Sequence, residues 1–351
     1  MKHRLLALTL SVFIAITFSY AAGAHADRRS DAGVAVRGQY IVVFKDSVSD
    51  PAAAEQDIVS RANGQRLLSF RYALHGFSAR LSDTAVAAIR LDPRVAFVSE
   101  DKVVSIEARV DPARRRTSPP PPAPTPSPTP APLPAQVVPT GVARISTISL
   151  TNTGAGVQVA VIDTGIDLSH PDLKANIAGG NNCTSSNTSD YADQNGHGTH
   201  VAGTIAALNN NQGVVGVAPG AKLWAVRVLD KSGSGTWSSV ICGLDFVASH
   251  GPANGGPISV ANMSLGGSGA SDNNCGNSNN DPLHQAVCRV RNAGVTIVVA
   301  AGNNGTDTSG FVPAAYDDAV RAARTRTHSE RCRRSVPAPG ARRSWPPATV
   351  P

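Results

Sequence analysis

The chain has five cysteines and no Cys-x-x-Cys pair, which excludes a zinc ribbon and a thioredoxin-type redox site. Four of them, Cys183, Cys242, Cys275 and Cys288, fall in the central region and Cys332 in the carboxyl-terminal stretch. Up to two disulfides can therefore form centrally, with their pairing left open. After residue 26 no segment is apolar enough to span a bilayer. The net charge of +7 does not describe a basic face, because much of it sits in the run Arg109–Arg116 and from Arg321 onward. Nucleic acid is therefore not expected as a partner. His197 and His200 have helical spacing but no glutamate between them, so the helical zinc-hydrolase motif is missing and metal catalysis is not expected.

What is present begins with residues 1–26. Lys2, His3 and Arg4 precede an apolar run from Leu5 to Tyr20 and the small-residue end Ala24-His25-Ala26, the three-part pattern of a secretory signal peptide. A secreted, extracellular product without a membrane anchor is expected. Residues 38–108 read as a small α+β unit of ferredoxin-like order. Its strands are expected at Gln39–Phe44, within Gln65–Arg80 and at Val95–Val98, and its helices at Pro51–Ala62 and Asp83–Leu91. Residues 109–134 form a linker, and from Thr117 its composition narrows to Pro, Ser, Thr and Ala. Such a tract favours extended polyproline II and buries no core.

From residue 135 to 320 the pattern becomes α/β. Near-continuous apolar strands are expected at Val157–Ile162, Leu223–Leu229, Ile258–Ser264 and Val295–Ala301, with helices between them at Thr199–Leu208, Thr236–Ser249 and Asp281–Ala293. This alternation implies a doubly wound parallel sheet. Asp163 closes the first strand, at the sheet edge where α/β proteins collect their chemistry. Asn195-Gly-His-Gly-Thr-His200 is a glycine-rich turn leading into a small-residue helix.

The motifs Val161-Ile-Asp-Thr-Gly-Ile166, Gly196-His-Gly-Thr-His-Val-Ala-Gly203, Asn262-Met-Ser-Leu-Gly-Gly267 and Val299-Ala-Ala-Gly-Asn-Asn-Gly305 occur in one order. Together they resemble the catalytic domain of the subtilisin-like serine proteases. Residues 38–108, through Tyr40–Lys45, His75–Ala79 and Val95–Asp101, resemble that family's inhibitor-type propeptide. The resemblance implies serine endopeptidase chemistry in the chain order Asp, His, Ser. Polypeptides would be the substrates, the propeptide an intramolecular inhibitor and folding chaperone, and the product a monomer. It maps the catalytic histidine to His200, with His197 only shaping the loop, and Asp163 as the group that orients the imidazole. Asn303 would face the oxyanion, where such a donor is worth about 3 to 4 kcal/mol, a figure known from subtilisin itself. Ser264, Leu265 and Gly266 would bind an extended substrate as an added strand. Gln136, Asp172, Leu208, Asn210, Gln212 and Val214 match a structural calcium site, and Ala135–Val142 resembles a mature amino terminus.

The motif resemblance holds through Gly310–Val320. Residues 321–351 are rich in Arg and Pro and have neither strand nor helix period. No Gly-Thr-Ser-Met-Ala occurs, and Ser329, Ser335 and Ser344 lack the flanking residues of the nucleophile. The family chemistry is therefore expected to be absent from this chain. A frame shift near residue 320 would account for the tail. The strand at 295–301 is expected to keep an uncovered neighbour. Two other classes of function fit such a product, a propeptide-type inhibitor or folding chaperone and a peptide-binding pseudoenzyme.

Overall fold

The computed structural model describes residues 32–106, 135–145, 151–303 and 305–322. The signal peptide expected at 1–26, the linker expected at 109–134 and residues 323–351 lie outside the described residues. Among those described, no helix is long and apolar enough to cross a membrane.

The amino-terminal unit runs β1 (Ala35–Phe44), α1 (Pro51–Arg61), β2 (Gln65–Phe70), β3 (Gly76–Arg80), α2 (Asp83–Ile89) and β4 (Val95–Ser105). Asp50 and Ser82 cap the two helices by accepting from the N–H groups of Ala53 and Ala85, as short polar residues do at such positions. The run Tyr40–Phe44 is buried throughout, and the two faces of its strand meet different partners. Tyr40, Val42 and Phe44 pack with Ile58, Phe77, Val86 and Ile89 under the two helices. Ile41 and Val43 join Phe70, Ala73 and Leu74 against the larger unit. A strand covered on both faces has no reason to alternate with polar residues, which is why this one reads as continuous.

The larger unit contains α3 (Thr140–Arg144), β5 (Gln158–Asp163), β6 (Ile177–Asn182), α4 (His197–Ala206), β7 (Lys222–Arg227), β8 (Ser234–Thr236) and α5 (Trp237–Ser249). It continues with β9 (Val260–Met263), β10 (Gly267–Ser268), α6 (Pro282–Asn292), β11 (Thr296–Ala300), β12 (Phe311–Val312) and β13 (Val320–Ala322). Six strands form a sheet in the order β13-β11-β9-β5-β7-β6, and every pairing in it is parallel. Alternate residues of β5 point to opposite layers. Val159 and Val161 pack on Ala202 and Ala206 of α4, while Ala160 and Ile162 join the layer containing Val240, Leu244 and Val287 of α5 and α6. The doubly wound reading holds.

Three boundaries differ from expectation. β6 was not expected as a strand, since Gly179 and Gly180 weaken its propensity. The structure places it at an edge, where Gly180 lies flat against Tyr191 and a Cβ would meet the Ala225 carbonyl oxygen at 2.3 Å. β13 pairs with β11 from Val320 to Ala322, so β11 is covered and the sheet edge passes to β13. The strand expected at 95–98 continues to Ser105, because its second half pairs with another unit.

That second half joins the two units. β4 pairs antiparallel with β8, Val104 opposite Gly235. Ile106 N–H extends that pairing by donating to the Gly233 carbonyl at 3.0 Å, and on the other side of β4 Ser105 exchanges hydrogen bonds with Gly266, at 3.3 and 3.1 Å. Asp101 is fully buried and its carboxylate accepts from the Ser238 N–H at 3.0 Å, at the start of α5, and from Gln39 Nε2 at 2.6 Å. A helix amino terminus favours that charge. Asp245 of α5 in turn accepts from the backbone N–H groups of Arg71, Tyr72 and Ala73 at 2.6 to 3.1 Å. Two disulfides close, Cys183–Cys242 and Cys275–Cys288.

Candidate functional site

β5, β9 and β11 are neighbours in the parallel sheet, and each ends in a polar group that the sequence marks. Asp163 closes β5, Ser264 follows β9 and Asn303 stands three residues beyond β11. Ile162 pairs with Met263 and Met263 with Val299, so the three strands end at one level. This is the carboxyl edge, where parallel sheets present their chemistry.

Asp163 is fully buried. Its Oδ1 accepts from the Thr164 N–H at 2.7 Å, and both carboxylate oxygens face the Nδ1 of one histidine, at 2.8 and 3.0 Å. That histidine is His197, not His200. The assignment of His200 as Asp163's partner is therefore corrected: its side chain, one turn further along α4, lies on the exposed side. The reason is backbone packing. Gly196 takes φ +101°, a left-handed conformation suited to glycine, and α4 begins at His197. Gly198 presses so close to the loop after β5 that a Cβ would stand 2.1 Å from the Gly165 carbonyl oxygen. This contact sets residue 197 over Asp163 and turns residue 200 away. With an ionised carboxylate against Nδ1, that nitrogen carries the proton and Nε2 presents a lone pair.

Burial is the largest influence on the His197 pKa and lowers it. The hydrogen bond and charge of Asp163, with the charge of Asp193, more than offset burial and leave the imidazole raised. Asp193 is the site residue that motif reading missed. Its carboxylate accepts from the N–H groups of Asn195, Gly196 and Thr199 and from the hydroxyls of Thr164 and Thr199, which ties the start of α4 to the loop after β5. Desolvation raises the Asp193 pKa, but those bonds outweigh it and hold the carboxyl below its usual range. Its signal in the sequence is an acidic residue just ahead of a helix start.

Of Ser264, Leu265 and Gly266, Gly266 meets Ser105 in an isolated antiparallel bridge, so the end of β4 already touches this edge. Leu265 is buried beneath and Asn262 Nδ2 donates to Ser264 Oγ at 2.9 Å. Asn303 is exposed at the same sheet edge.

Away from this edge the structure gathers the residues matched to a cation site. Asp172 Oδ1 accepts from Asn210 Nδ2 at 3.1 Å and Oδ2 from the Val214 N–H at 3.0 Å. Gln136 Nε2 donates to the Leu208 carbonyl at 2.8 Å. The Gln212 N–H donates to Asn210 Oδ1 at 3.0 Å. The gathered acceptors are all oxygen, which suits a hard cation.

The comparisons agree with this geometry. A model described as the subtilase family matches residues 154–346, and one described as peptidase inhibitor I9 matches residues 39–107. The subtilase match runs past residue 320, where the motif reading ends. Subtilisin E of Bacillus subtilis strain 168 is 36% identical over 301 residues, covering 84% of this chain and 67% of its own length. The alkaline protease of Alkalihalobacillus alcalophilus is 39% identical over 257 residues, 72% of this chain and 55% of its own. A subtilisin of Bacillus pumilus is 42% identical over 204 residues, 56% of this chain and 68% of its own. The chain thus spans between about half and two thirds of these relatives. With a half-buried histidine on a buried aspartate at the carboxyl edge of a parallel sheet, and an I9 unit bridged to the edge beside it, the chain belongs to the subtilase family.

Proposed function

We propose that this chain carries the acid-base half and the peptide-binding edge of a secreted serine endopeptidase, held closed by its own amino-terminal unit. The observation that carries the reading is the Asp163–His197 pair, with Ser105 at the end of β4 bridged to Gly266 beside it. In this chemistry His197 Nε2 takes the proton of a serine hydroxyl as that oxygen attacks the peptide carbonyl, then returns it to the leaving amine. Asp163 holds the ring in the required tautomer and stabilises the imidazolium. Asn303 donates to the developing oxyanion. Ser264, Leu265 and Gly266 align an extended polypeptide as an added strand, continuing the bridge that Ser105 makes with Gly266.

The 351 residues contain no Gly-Thr-Ser-Met-Ala, so the chain by itself supplies His197 with no hydroxyl to activate. In subtilisin itself, loss of the nucleophile lowers turnover roughly a millionfold. We therefore expect purified residues 27–351 to leave casein intact and to resist a serine-directed phosphonate probe. Labelling of any serine would refute inactivity. The structural half of the reading fails separately, if hydrogen exchange shows Val104–Ile106 unprotected in the folded chain.

Gln136, Asp172, Leu208, Asn210, Gln212 and Val214 would hold a calcium ion that ties the segment after residue 135 to the loop at 208–214. Such an ion supplies charge neutralisation and no chemical step. Export through the segment at 1–26, a mature start near Ala135 and a monomeric product complete the proposal; amino-terminal sequencing and sedimentation test the last two.

A further inference from the structure

The two segments that meet at Asp163 and His197 each carry a threonine, and the two hydroxyls cross between them. Thr164 follows Asp163 in the loop after β5, and its Oγ1 accepts from the Gly198 N–H of α4 at 2.9 Å. Thr199 lies in the first turn of α4, and its Oγ1 accepts from the Asp167 N–H of that loop at 2.9 Å. Each segment thus lends a hydroxyl to a backbone N–H of the other. Both hydroxyls donate to one carboxylate, Thr164 to Asp193 Oδ1 at 2.8 Å and Thr199 to Asp193 Oδ2 at 2.5 Å. The same carboxylate accepts from the N–H groups of Asn195, Gly196 and Thr199 at 2.8 to 3.0 Å.

A hydroxyl has one proton and can turn it either way. A backbone N–H can only donate, so Thr164 and Thr199 must present lone pairs to Gly198 and Asp167 and send their protons elsewhere. An ionised carboxylate only accepts, and Asp193 takes both protons. Its charge therefore gives the crossing a single direction. The Asp163–His197 bond spans the same two segments, one residue back along each from the Thr164–Gly198 bridge. Gly198 lets the segments approach, but a slide of α4 along the loop would break this bond and both hydroxyl bridges together.

On the reading of Asp163 and His197 as the acid-base half of a peptidase, we propose that Thr164, Thr199 and Asp193 are its positioning residues. The charge of Asp193 orients the two hydroxyls, and the crossed hydroxyls hold His197 Nδ1–H on Asp163, the tautomer in which Nε2 can accept a proton. The threonines of Asp163-Thr-Gly165 and Gly198-Thr-His200 thereby gain a use that acyl transfer does not itself require. None of the three touches a substrate; each acts through the orientation of the imidazole.

The test reads the His197 ring of the full chain by proton and nitrogen NMR, which needs no peptidase activity. In the wild type the Nδ1 proton should be a slowly exchanging downfield resonance. In Thr164→Val and Thr199→Val it should exchange with solvent roughly tenfold faster or more, the scale of one hydrogen bond to a charged group. These variants leave every charge in place, so the field of Asp193 on the ring does not enter. Thr164→Ser and Thr199→Ser keep the hydroxyl and should exchange like the wild type. Asp193→Asn should also speed exchange, and adding Thr199→Val to it should change little more, because the hydroxyl has already lost its fixed direction. Should a valine variant fail to fold, the wild type still decides: the Thr164 and Thr199 hydroxyl protons should appear as slowly exchanging resonances, as held donors do. Valine variants that exchange like the wild type, serine variants that exchange like valine, or missing hydroxyl resonances in the folded wild type would each overturn the proposal and leave the Asp163–His197 pair standing. Absence of the Nδ1 proton from the wild-type ring would overturn the acid-base reading itself, and the positioning role with it.

Discussion

At the scale of single residues, opposing electrostatic influences decide the behaviour of the site. His197 is lowered by burial and raised by Asp163 and Asp193, with a net rise. A raised histidine contributes stability that is fully present below its unfolded pKa of about 6.5 and is lost as pH rises through the folded value. Imidazole NMR titration of the full chain should therefore show His197 above the ordinary range. In Asp163→Asn it should fall, because burial then acts with less opposition. Asp101 shows the reverse balance for an acid. Burial raises its pKa, and bonds from Ser238, Gln39 and Lys102 oppose that without cancelling it. The folded chain therefore holds this proton more tightly than the unfolded chain does. The resulting stability is full below about pH 3.9 and declines as pH rises through the folded pKa. Melting temperature against pH should fall less steeply in Asp101→Asn; an unchanged slope would assign the dependence elsewhere, Asp245 being raised by burial as well.

Among elements, close backbone approaches hold the arrangement. Gly198 is the contact that sets α4 over β5, and Gly198→Ala forces a Cβ against the Gly165 carbonyl. The expected cost is about 1 to 3 kcal/mol, with loss of the raised His197 titration, readable by chemical denaturation and NMR on one sample. α5 holds the amino-terminal unit by two means, its N–H groups toward Asp101 and its Asp245 carboxylate toward residues 71–73. Asp245→Ala leaves three N–H groups without their acceptor and should destabilise the folded chain by about 1 to 3 kcal/mol. Asp245→Asn keeps one oxygen and should cost less. The sequence located the hydrophobic strands and helices of both units through their periods. It did not locate β6, whose glycines suit an edge lying against Tyr191, nor the full length of β4, whose second half pairs with residues more than a hundred positions away.

Across the whole molecule, covalent and ionic ties act on long loops. Cys183–Cys242 links the end of β6 to α5 over 59 residues, and a loop of that length corresponds to about 4 kcal/mol in the chain-entropy description. C183S/C242S should lower stability by roughly that amount in thermal or denaturant unfolding. Chelation should lower the melting temperature if calcium joins residue 136 to the loop at 208–214, and Asp172→Ala should remove both the calcium dependence and the response to chelator. By itself the sequence determined the parallel α/β class, the α+β unit ahead of it, and the aspartate, asparagine and serine positions at the sheet edge, because hydrophobic period and strand-end polarity are local properties. Which histidine meets Asp163, which cysteines pair, and how β4 lies along Gly266 were decided by tertiary structure. Two histidines three residues apart are equivalent to a local pattern, and only the contact of Gly198 with Gly165 makes them differ.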